Sequence, residues 1–503
     1  MADFTYSDLM TVDLTKLGTS ASHWRSMAND LDKLATDARD GLAKKAEGAR
    51  WKGVNADVSR EFVRKTVKEF SDLHAEALSI ANVLTDAHDE LVRYQKQART
   101  LTDAARNGDP KHQPPDPGLM VGEGPGGTVR VMEMLCTPEG PDQRTKDRMR
   151  WYADTLTGIV LHAAEVDAAA VRALRGSHGN DPNNAGHSRY TSLDEDQLPR
   201  ARKLAGLGAD AKPGQRAELR RLWESLSPEA RARLWLAQQK DLEAAGILSP
   251  AMQQVAADAG AGRHGSESPG ADDWSTKEKM RLLAEGADWK GMTDASRNMS
   301  HYLGNSGAPM TLPVDKMMAD VPAFKQYVDG TVTLHQDAWR EQALKEFKEN
   351  GGKPVAFPVE VKRRPSFYFS QEDNPNWFYA VGGTNSNVTG VVTAVPDEHG
   401  APKVSVDYQV NVWDRYNWDE GKGVKVGPLD IPDGQMAKLH RVGLAQEFDM
   451  SGSSNVKHYD LGSSASGASQ LPGSEESRDG RTNPAREQQQ GRTNGAAQRA
   501  AGR

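Results

Sequence analysis

The sequence is poor in several things at once, and each shortage removes a class of answer. Cys136 is its only cysteine among 503 residues, so no intrachain disulfide and no cysteine-based zinc site can form. Aromatic residues make up only 6% and hydrophobic residues 37%, which is wet for one large globule and ordinary for thin helical assemblies with disordered segments. No charge of one sign dominates: 63 Lys and Arg stand against 70 Asp and Glu, a net charge of -7, so nothing draws the whole chain to nucleic acid or anionic lipid. No run of about 18 apolar residues occurs, hence no membrane-spanning helix is expected. The opening Met-Ala-Asp-Phe-Thr-Tyr lacks the basic and apolar regions of a Sec-type signal peptide. Export, if it happens, is expected by a leaderless route.

What is present begins with helical periodicity. Leu17, Ala21, Trp24, Ala28, Leu31, Ala35, Ala38 and Leu42 step by four and three along one stripe, with Asp30, Asp32, Lys33 and Asp37 off it. A second stripe runs through Val63, Val67, Phe70, Leu73, Ala77, Ile80, Leu84, Ala87, Leu91, Tyr94, Ala98 and Leu101. A helix over 55–105 would be roughly 75 Å long at about 1.5 Å per residue. Between the stripes stands Trp51-Lys52-Gly53. Neither helix can bury its stripe alone, and so short a turn forces antiparallel packing. The fold class predicted is therefore mainly α: a long antiparallel N-terminal helical hairpin (1–106) and further helices, followed by a small α+β C-terminal domain and a disordered tail.

The rest of the chain divides by composition. Residues 107–142, with Gln113-Pro114-Pro115-Asp116-Pro117 and the glycines from Gly122 to Gly127, read as a linker. Met149, Tyr152, Leu156, Ile159, Ala163, Val166, Ala170 and Ala173 predict a third long helix over 143–175, packing on the hairpin. Residues 193–350 read as a helical spacer region with a linker near 260–272; Ser227-Pro228 and Ser249-Pro250 are cap-and-proline helix starts. Within it, Ala284-Glu285-Gly286-Ala287-Asp288-Trp289-Lys290-Gly291 repeats Ala46 to Gly53 at seven of eight positions. Gly304-Asn305-Ser306-Gly307 must stop the helix that follows, so a local helix–turn–helix is expected there and no second full hairpin. Over 351–461 the period changes to two. Val355–Val361, Trp377–Val381, Val388–Val395 and Lys403–Trp413 predict strands, and Val404, Val406, Tyr408, Val410 and Val412 mark one buried face. A helix over 433–446 and a strand near Val456–Tyr459 complete this domain. Residues 462–503, rich in Gly, Ser, Gln and Arg, read as a disordered tail.

The long hairpin with Trp51-x-Gly53 at its turn resembles the WXG family, the helical-hairpin proteins carried by type VII (ESX) secretion systems. The likeness covers about a fifth of the chain. It implies export, with Trp51 and Gly53 as the turn motif, and a small WXG-type helical partner or export machinery as the binding partner. The family's export signal, a Tyr followed by an acid four residues later, is absent at Tyr94, where Ala98 stands; Tyr190 and Asp194 fit by spacing. The Ala/Arg/Asp-rich helices are similar to actinobacterial sequences. An export hairpin, helical spacer and compact C-terminal domain together resemble polymorphic effectors, which implies secretion from the cytoplasm and an immunity protein as a second partner.

The chemistry-bearing residues lie in the C-terminal domain. Asp414-Arg415-Tyr416-Asn417-Trp418-Asp419 follows the long alternating segment, and Leu439-His440-Arg441 and Glu447-Phe448-Asp449 come after it. Asp414 and Asp419 could hold a divalent cation, His440 could move a proton, and Arg441 could neutralise charge on phosphate oxygens. That set suits phosphodiester or pyrophosphate cleavage, although adjacent His440 and Arg441 diverge by about 100° on a helix. The region from Asn374 to Asp449 also resembles C-terminal domains of bacterial polymorphic toxins. Asp414-x-Tyr416-Asn417 with His440-Arg441 is similar to the Asp-x-Tyr-Asp and His-Arg core of the colicin M family, lipid II phosphodiesterases. That resemblance implies Asp414 as the key acid, Tyr416 as its neighbour, and His440 with Arg441 as base and phosphate clamp. Asn417 replaces the second acid, and His440 stands 24 residues beyond Tyr416, further than in that family. The other function class kept open is a non-enzymatic secreted protein whose C-terminal β-rich domain binds a partner or the cell envelope. No Gly-rich phosphate loop, HExxH helix or nucleophilic-serine elbow is present; Gly382-Gly383 and Gly421-Lys422-Gly423 read as turns.

Overall fold

The computed structural model describes residues 4–50, 52–108, 117–134, 141, 143–178, 190–250, 262–361, 367–418, 423–426 and 429–461. Trp51, Asp419, the 462–503 tail and the helix expected after Ser249-Pro250 lie outside the described residues. The chain is mainly α with an α+β C-terminal part, and it forms two compact units, Met1–Ile247 and Leu248–Arg503.

The first unit is organised by one very long helix. Helix α1 (Tyr6–Thr11) opens with a reciprocal cap between Thr5 and Asp8, and α2 (Leu14–Asp37) starts on the Asp13 side chain. A π-helical turn, Ala38–Ala43, leads into α3 (Lys44–Gly48). Gly53 then takes φ 112°, which an L side chain resists, and starts α4 (Val54–Asn107). At about 1.5 Å per residue its 54 residues span roughly 80 Å. Helices α2 and α4 pack together as the expected hairpin. Small residues permit the approach: a Cβ at Gly18 would sit 2.9 Å from His88 Nε2. Gln95 donates to the carbonyls of Leu9 (2.8 Å) and Val12 (3.0 Å), pinning the α1–α2 break to α4.

Strands β1 (Leu119–Glu123) and β2 (Val129–Glu133) form an antiparallel hairpin where the sequence predicts a linker. Its Leu119, Val121 and Val129 are buried among α4 and α5 residues, and Thr157 Oγ1 accepts from Val129 N at 2.9 Å. Five residues of alternation are a weak signal beside the flanking Pro and Gly. Helix α5 (Gln143–His178) is the predicted third helix and lies on α4. Its far end is marked by Ser177 Oγ, 2.7 Å from Ser79 Oγ. Beyond Ser79 toward the tip, α4 has α2 and the turn for company but not α5. Helices α6 (Asp194–Ala205), α7 (Pro213–Ser225) and α8 (Pro228–Ala244) complete this unit; Ser227 Oγ accepts from Ala230 N at 3.2 Å, the cap its Ser-Pro pair announces.

The second unit begins with α9 (Ala271–Trp289) and α10 (Thr293–Leu303), the expected local helix–turn–helix, which stops at Gly304. Strand β3 (Met310–Thr311), α11 (Val314–Asp320) and α12 (Pro322–Glu349) follow. The stretch read as one spacer over 193–350 is thus shared: α6–α8 belong to the first unit, and α9–α12 build the core of the second. After β4 (Val355–Val361) and β5 (Phe367–Tyr368) comes a correction. The predicted strand Trp377–Val381 is helix α13 (Pro375–Ala380), because Asn374 Oδ1 caps Trp377 N at 3.1 Å and Pro375 occupies the first turn. Strands β6 (Gly383–Pro396) and β7 (Pro402–Tyr416) are the long central pair. Next come β8 (Gly423–Val426), β9 (Leu429–Pro432), α14 (Asp433–Arg441), β10 (Phe448–Ser453) and β11 (Lys457–Asp460). Helix α14 ends five residues before the predicted 446, and β10 lies where the sequence predicts no strand.

The sheet runs β3-β10-β7-β6-β4, with β10 and β11 pairing successive halves of β7 along one edge. Val404, Val406, Tyr408, Val410 and Val412 are buried on one face, as predicted, and α12 packs with β4, β6 and β7. The other face carries a chain of polar side chains. Asn411 Nδ2 donates to Asn387 Oδ1 (3.0 Å) and Thr389 Oγ1 (2.9 Å), Ser453 donates to Asn411 Oδ1 (2.7 Å), and Asn387 donates to Glu360 (3.0 Å). At Gly452 a Cβ would fall 2.0 Å from the Leu312 carbonyl oxygen, so only glycine lets β10 pass there.

Two titratable groups in the first unit pull stability in opposite directions. Burial raises Asp86, whose carboxylate accepts from Leu193 N at 2.9 Å, to about 6, and burial lowers His162 to about 4. Folding therefore favours neutral Asp86 and neutral His162. The Asp86 contribution is fully present below its ordinary 3.8 and is lost as pH rises through 6; the His162 contribution is present above its ordinary 6.5 and is lost as pH falls toward 4. Asp86→Asn, which keeps an acceptor for Leu193 N, is expected to stabilise the protein at pH 7 by on the order of 2 kcal/mol. Urea denaturation of the two proteins at several pH values checks this, and the gap should close as pH falls from 6 toward 4.

Candidate functional site

The residues with chemical potential gather where β7 ends beside β10 and α14. The pleat of β7 separates neighbours: Asp414 and Tyr416 continue the apolar row of Val410 and Val412, and Arg415 projects to the other face. Across the ladder, Asp414 stands opposite Met450, Arg415 opposite Asp449, and Tyr416 opposite Phe448. Tyr416 is stacked on Phe448 with ring centroids 5.1 Å apart, edge-on to Trp418 at 6.0 Å, and tilted against Tyr302 at 5.8 Å. These rings are all buried. Tyr302 donates from its hydroxyl to Met436 O at 2.7 Å, and burial pushes its pKa well above the usual tyrosine value. The aromatic set is a packed core at the end of the sheet.

His440 is fully buried on α14, and its Nδ1 accepts the backbone N–H of Glu447 at 3.3 Å. Its ring lies 5.0 Å from that of His264. His264 Nε2 is 2.8 Å from Asn305 Oδ1, and Asn305, in the left-handed region with φ 58°, donates to Gly443 O at 2.8 Å. Arg441 points elsewhere, with Nε 2.8 Å from Glu267 Oε1. The main chain of residues 265–267 is fastened to the end of α14: Gly265 N donates to His440 O and Glu267 N to Arg441 O. One turn earlier, Lys438 pairs with Asp273 at 2.8 Å, and that hydrogen bond holds the Asp273 carboxyl below its ordinary value.

Of the predicted site residues, Asp414 and Tyr416 share one face of the strand, whereas His440 and Arg441 diverge to different neighbours and Asp419 lies outside the described residues. Gly53 sits at the hairpin turn as predicted. Among the described residues no three His, Cys, Asp or Glu side chains converge to hold a metal ion, and Asp419, the second carboxylate expected to hold a divalent cation, is not among them. A different group emerges. Arg415 Nε is 3.2 Å from Glu447 Oε2 and its Nη1 is 2.8 Å from Asp449 Oδ1, with Arg415 and Glu447 buried. The odd-to-odd register of β7 and β10 brings this triad together, and without β10 in view the sequence could not show it. Such a ladder clamps the two strands and leaves its carboxylates engaged with the guanidinium.

Neither known protein families, nor curated proteins, nor solved structures provide a match to the chain. The chain joins a long helical hairpin unit to an α+β unit in which Asp414, Arg415, His440 and Glu447 are buried. No described helix is long and apolar enough to cross a membrane.

Arg415→Met should leave the Glu447 carboxylate buried without its cation, at a cost of about 3–5 kcal/mol. Adding Glu447→Gln should recover a large part of it. Guanidinium denaturation of the single and double variants reads both numbers; equal loss in the two would mean that the pair is not coupled.

Proposed function

We propose that this chain is an effector carried by a type VII-like export route, with the hairpin as its pairing module and the C-terminal unit acting by binding. The observation that carries the first half is a row of uncovered apolar side chains. Val54, Val58, Phe62 and Leu73 on α4, Met27 and Leu34 on α2, and Leu42 in the π-helical turn are exposed. All of them precede Ser79, where α5 ends. Beyond it, the α4 residues Ile80, Val83, Ala87, Leu91, Tyr94, Ala98 and Ala105 are buried on a regular spacing, and Val92 is the one large apolar side chain left exposed there. A helical bundle that is closed at its root and open toward its tip is what a hairpin awaiting helical company would present. A WXG-type helical protein or the export machinery is the partner of that chemistry.

Binding is preferred over phosphodiester cleavage for the second unit because its conspicuous groups are committed. Tyr416 belongs to an aromatic stack, Arg441 is paired with Glu267, and His440 is enclosed and accepts a backbone N–H. An immunity protein belongs with the toxin-like alternative.

In the native host, Val58→Asp with Phe62→Asp is expected to abolish appearance of the full-length protein in the medium while folded protein accumulates inside. Unchanged secretion would rule out the pairing role. Catalysis replaces binding as the reading if delivery of the full chain to a target periplasm kills, and a folded Asp414→Asn or His440→Gln variant does not.

A further inference from the structure

Three methionines gather at the outer side of the β1–β2 hairpin. Leu119, Val121 and Val129 turn inward and are buried, with Val131 packed against the same core. The alternate residues face away from it: Met120 and Gly122 on β1, Arg130 and Met132 on β2. Met120 stands directly opposite Met132 in the ladder, and Gly122 opposite Arg130. Met134 follows just past the end of β2, and its Sδ lies 3.3 Å from where a Cβ on Gly118 would stand, two residues before Met120. Met120 and Met134 are 47% and 55% exposed, and Met132 is half-buried. A Cβ at Gly122 would meet nothing within 4 Å, so the face beside Met120 is open.

Methionine is ordinarily an interior residue. Three of them presented to solvent on one side of a small hairpin call for a ligand that prefers sulfur. Directly opposite residues hold their Cβ atoms about 4.5–5.5 Å apart, and the three rotatable bonds of Met let each sulfur swing toward its neighbour. Two sulfurs bound to one ion at about 2.3 Å stand roughly 4 Å apart, a separation that the Met120–Met132 pair can reach with the ladder unchanged. Met134 adds a third donor from the same chain segment. We propose that Met120, Met132 and Met134 form a binding site for a soft monovalent cation of the copper(I) or silver(I) class.

The chemistry of the face selects that class. Of its four paired residues, Met120, Gly122, Arg130 and Met132, none carries a carboxylate, an imidazole or a thiol. Calcium and magnesium need several oxygen donors, and zinc takes thiolate, imidazole or carboxylate; neutral thioethers suit copper(I). Arg130, the one charge in these two rows, weighs less against a monovalent ion than against a divalent one. The scaffold is firm: five residue pairs join the strands, and Val129 N donates to Thr157 Oγ1 on α5 at 2.9 Å. A thioether has no proton to lose on binding, so the affinity stays level with pH where a thiolate or imidazole site weakens in acid.

The full chain carrying Cys136→Ser, which removes the competing thiol, tests this with its methionine methyl groups labelled with carbon-13. Silver(I) nitrate is titrated in chloride-free buffer and the methyl signals are followed by NMR. The expected result is one bound ion that shifts three methyl signals together, with Met120→Leu, Met132→Leu and Met134→Leu each deleting one of the three. Leucine is close to methionine in volume and these side chains lie outside the core, so thermal melting should be unchanged, while each variant weakens silver binding by at least about tenfold. Affinity should be the same at pH 5 and pH 7.5, and calcium, magnesium and zinc should leave the three signals where they are. Silver that shifts none of these three methyls would overturn the site, and so would binding that survives replacement of all three methionines. A loss of affinity at pH 5 would assign the ion to imidazole or carboxylate donors and overturn it equally.

Discussion

The first unit depends on how one helix shares its apolar stripes among its neighbours. Helix α4 carries more apolar surface than α2 can cover, and no isolated two-helix hairpin of this length buries it. Helix α1, the β1–β2 hairpin and α5 supply cover along the root, where Ala81, Val83, Ala87, Tyr94, Ala98 and Ala105 are sealed. Cover from α5 ends at the Ser79–Ser177 contact. Toward the tip, stability rests on α2, on i,i+4 ion pairs such as Lys65–Glu61 and Lys68–Asp72, and on Arg60, which reaches the carbonyls of Ala46 and Ala49. Exposed pairs of that kind contribute a few tenths of a kcal/mol each. The gradient from sealed root to open tip follows from where α5 stops.

The second unit is held by a different device, the length of β7. Fifteen residues allow it to pair β6 on one edge and both β10 and β11 on the other. Its apolar face closes over α12, and its polar face is satisfied by cross-strand amides and hydroxyls. At its end the pleat turns three consecutive residues to three tasks: Asp414 beside Met450, Arg415 to the carboxylates, and Tyr416 into the rings. Arg415 and Tyr416 thus meet the demands of a buried strand end, where polar groups need partners.

Helix and strand periods made most of this legible. The stripes of α2, α4 and α5 and the alternation of β7 announce their elements, because each has one buried face and enough length to show it, although the first stripe runs on through Leu42 where α2 gives way at Asp37 to a π-helical turn. Short elements were hidden where two signals competed. In α13 the cap at Asn374 and the proline after it outweigh the aromatic run, and in β1–β2 the surrounding Pro and Gly masked five-residue strands. The site was less readable than the fold. Asp414 and Tyr416, and His440 and Arg441, are neighbours in sequence, but faces of a strand and a helix disperse them, while Arg415 meets Glu447 and Asp449 only through the pairing of β7 with β10, and His264 meets His440 beside the backbone bonds of residues 265–267 to the end of α14. Periodicity tells which side a residue is on, and long-range pairing tells whom it meets.

The open tip is the claim on which the pairing role stands, and amide hydrogen exchange along α4 of the purified monomer tests it most directly. Amides from 77 to 105 should exchange only through large-scale unfolding, and those from 54 to 73 at least about tenfold faster through local opening. Uniform slow exchange along the whole helix would contradict the account, for it would mean that the tip is already as well covered as the root.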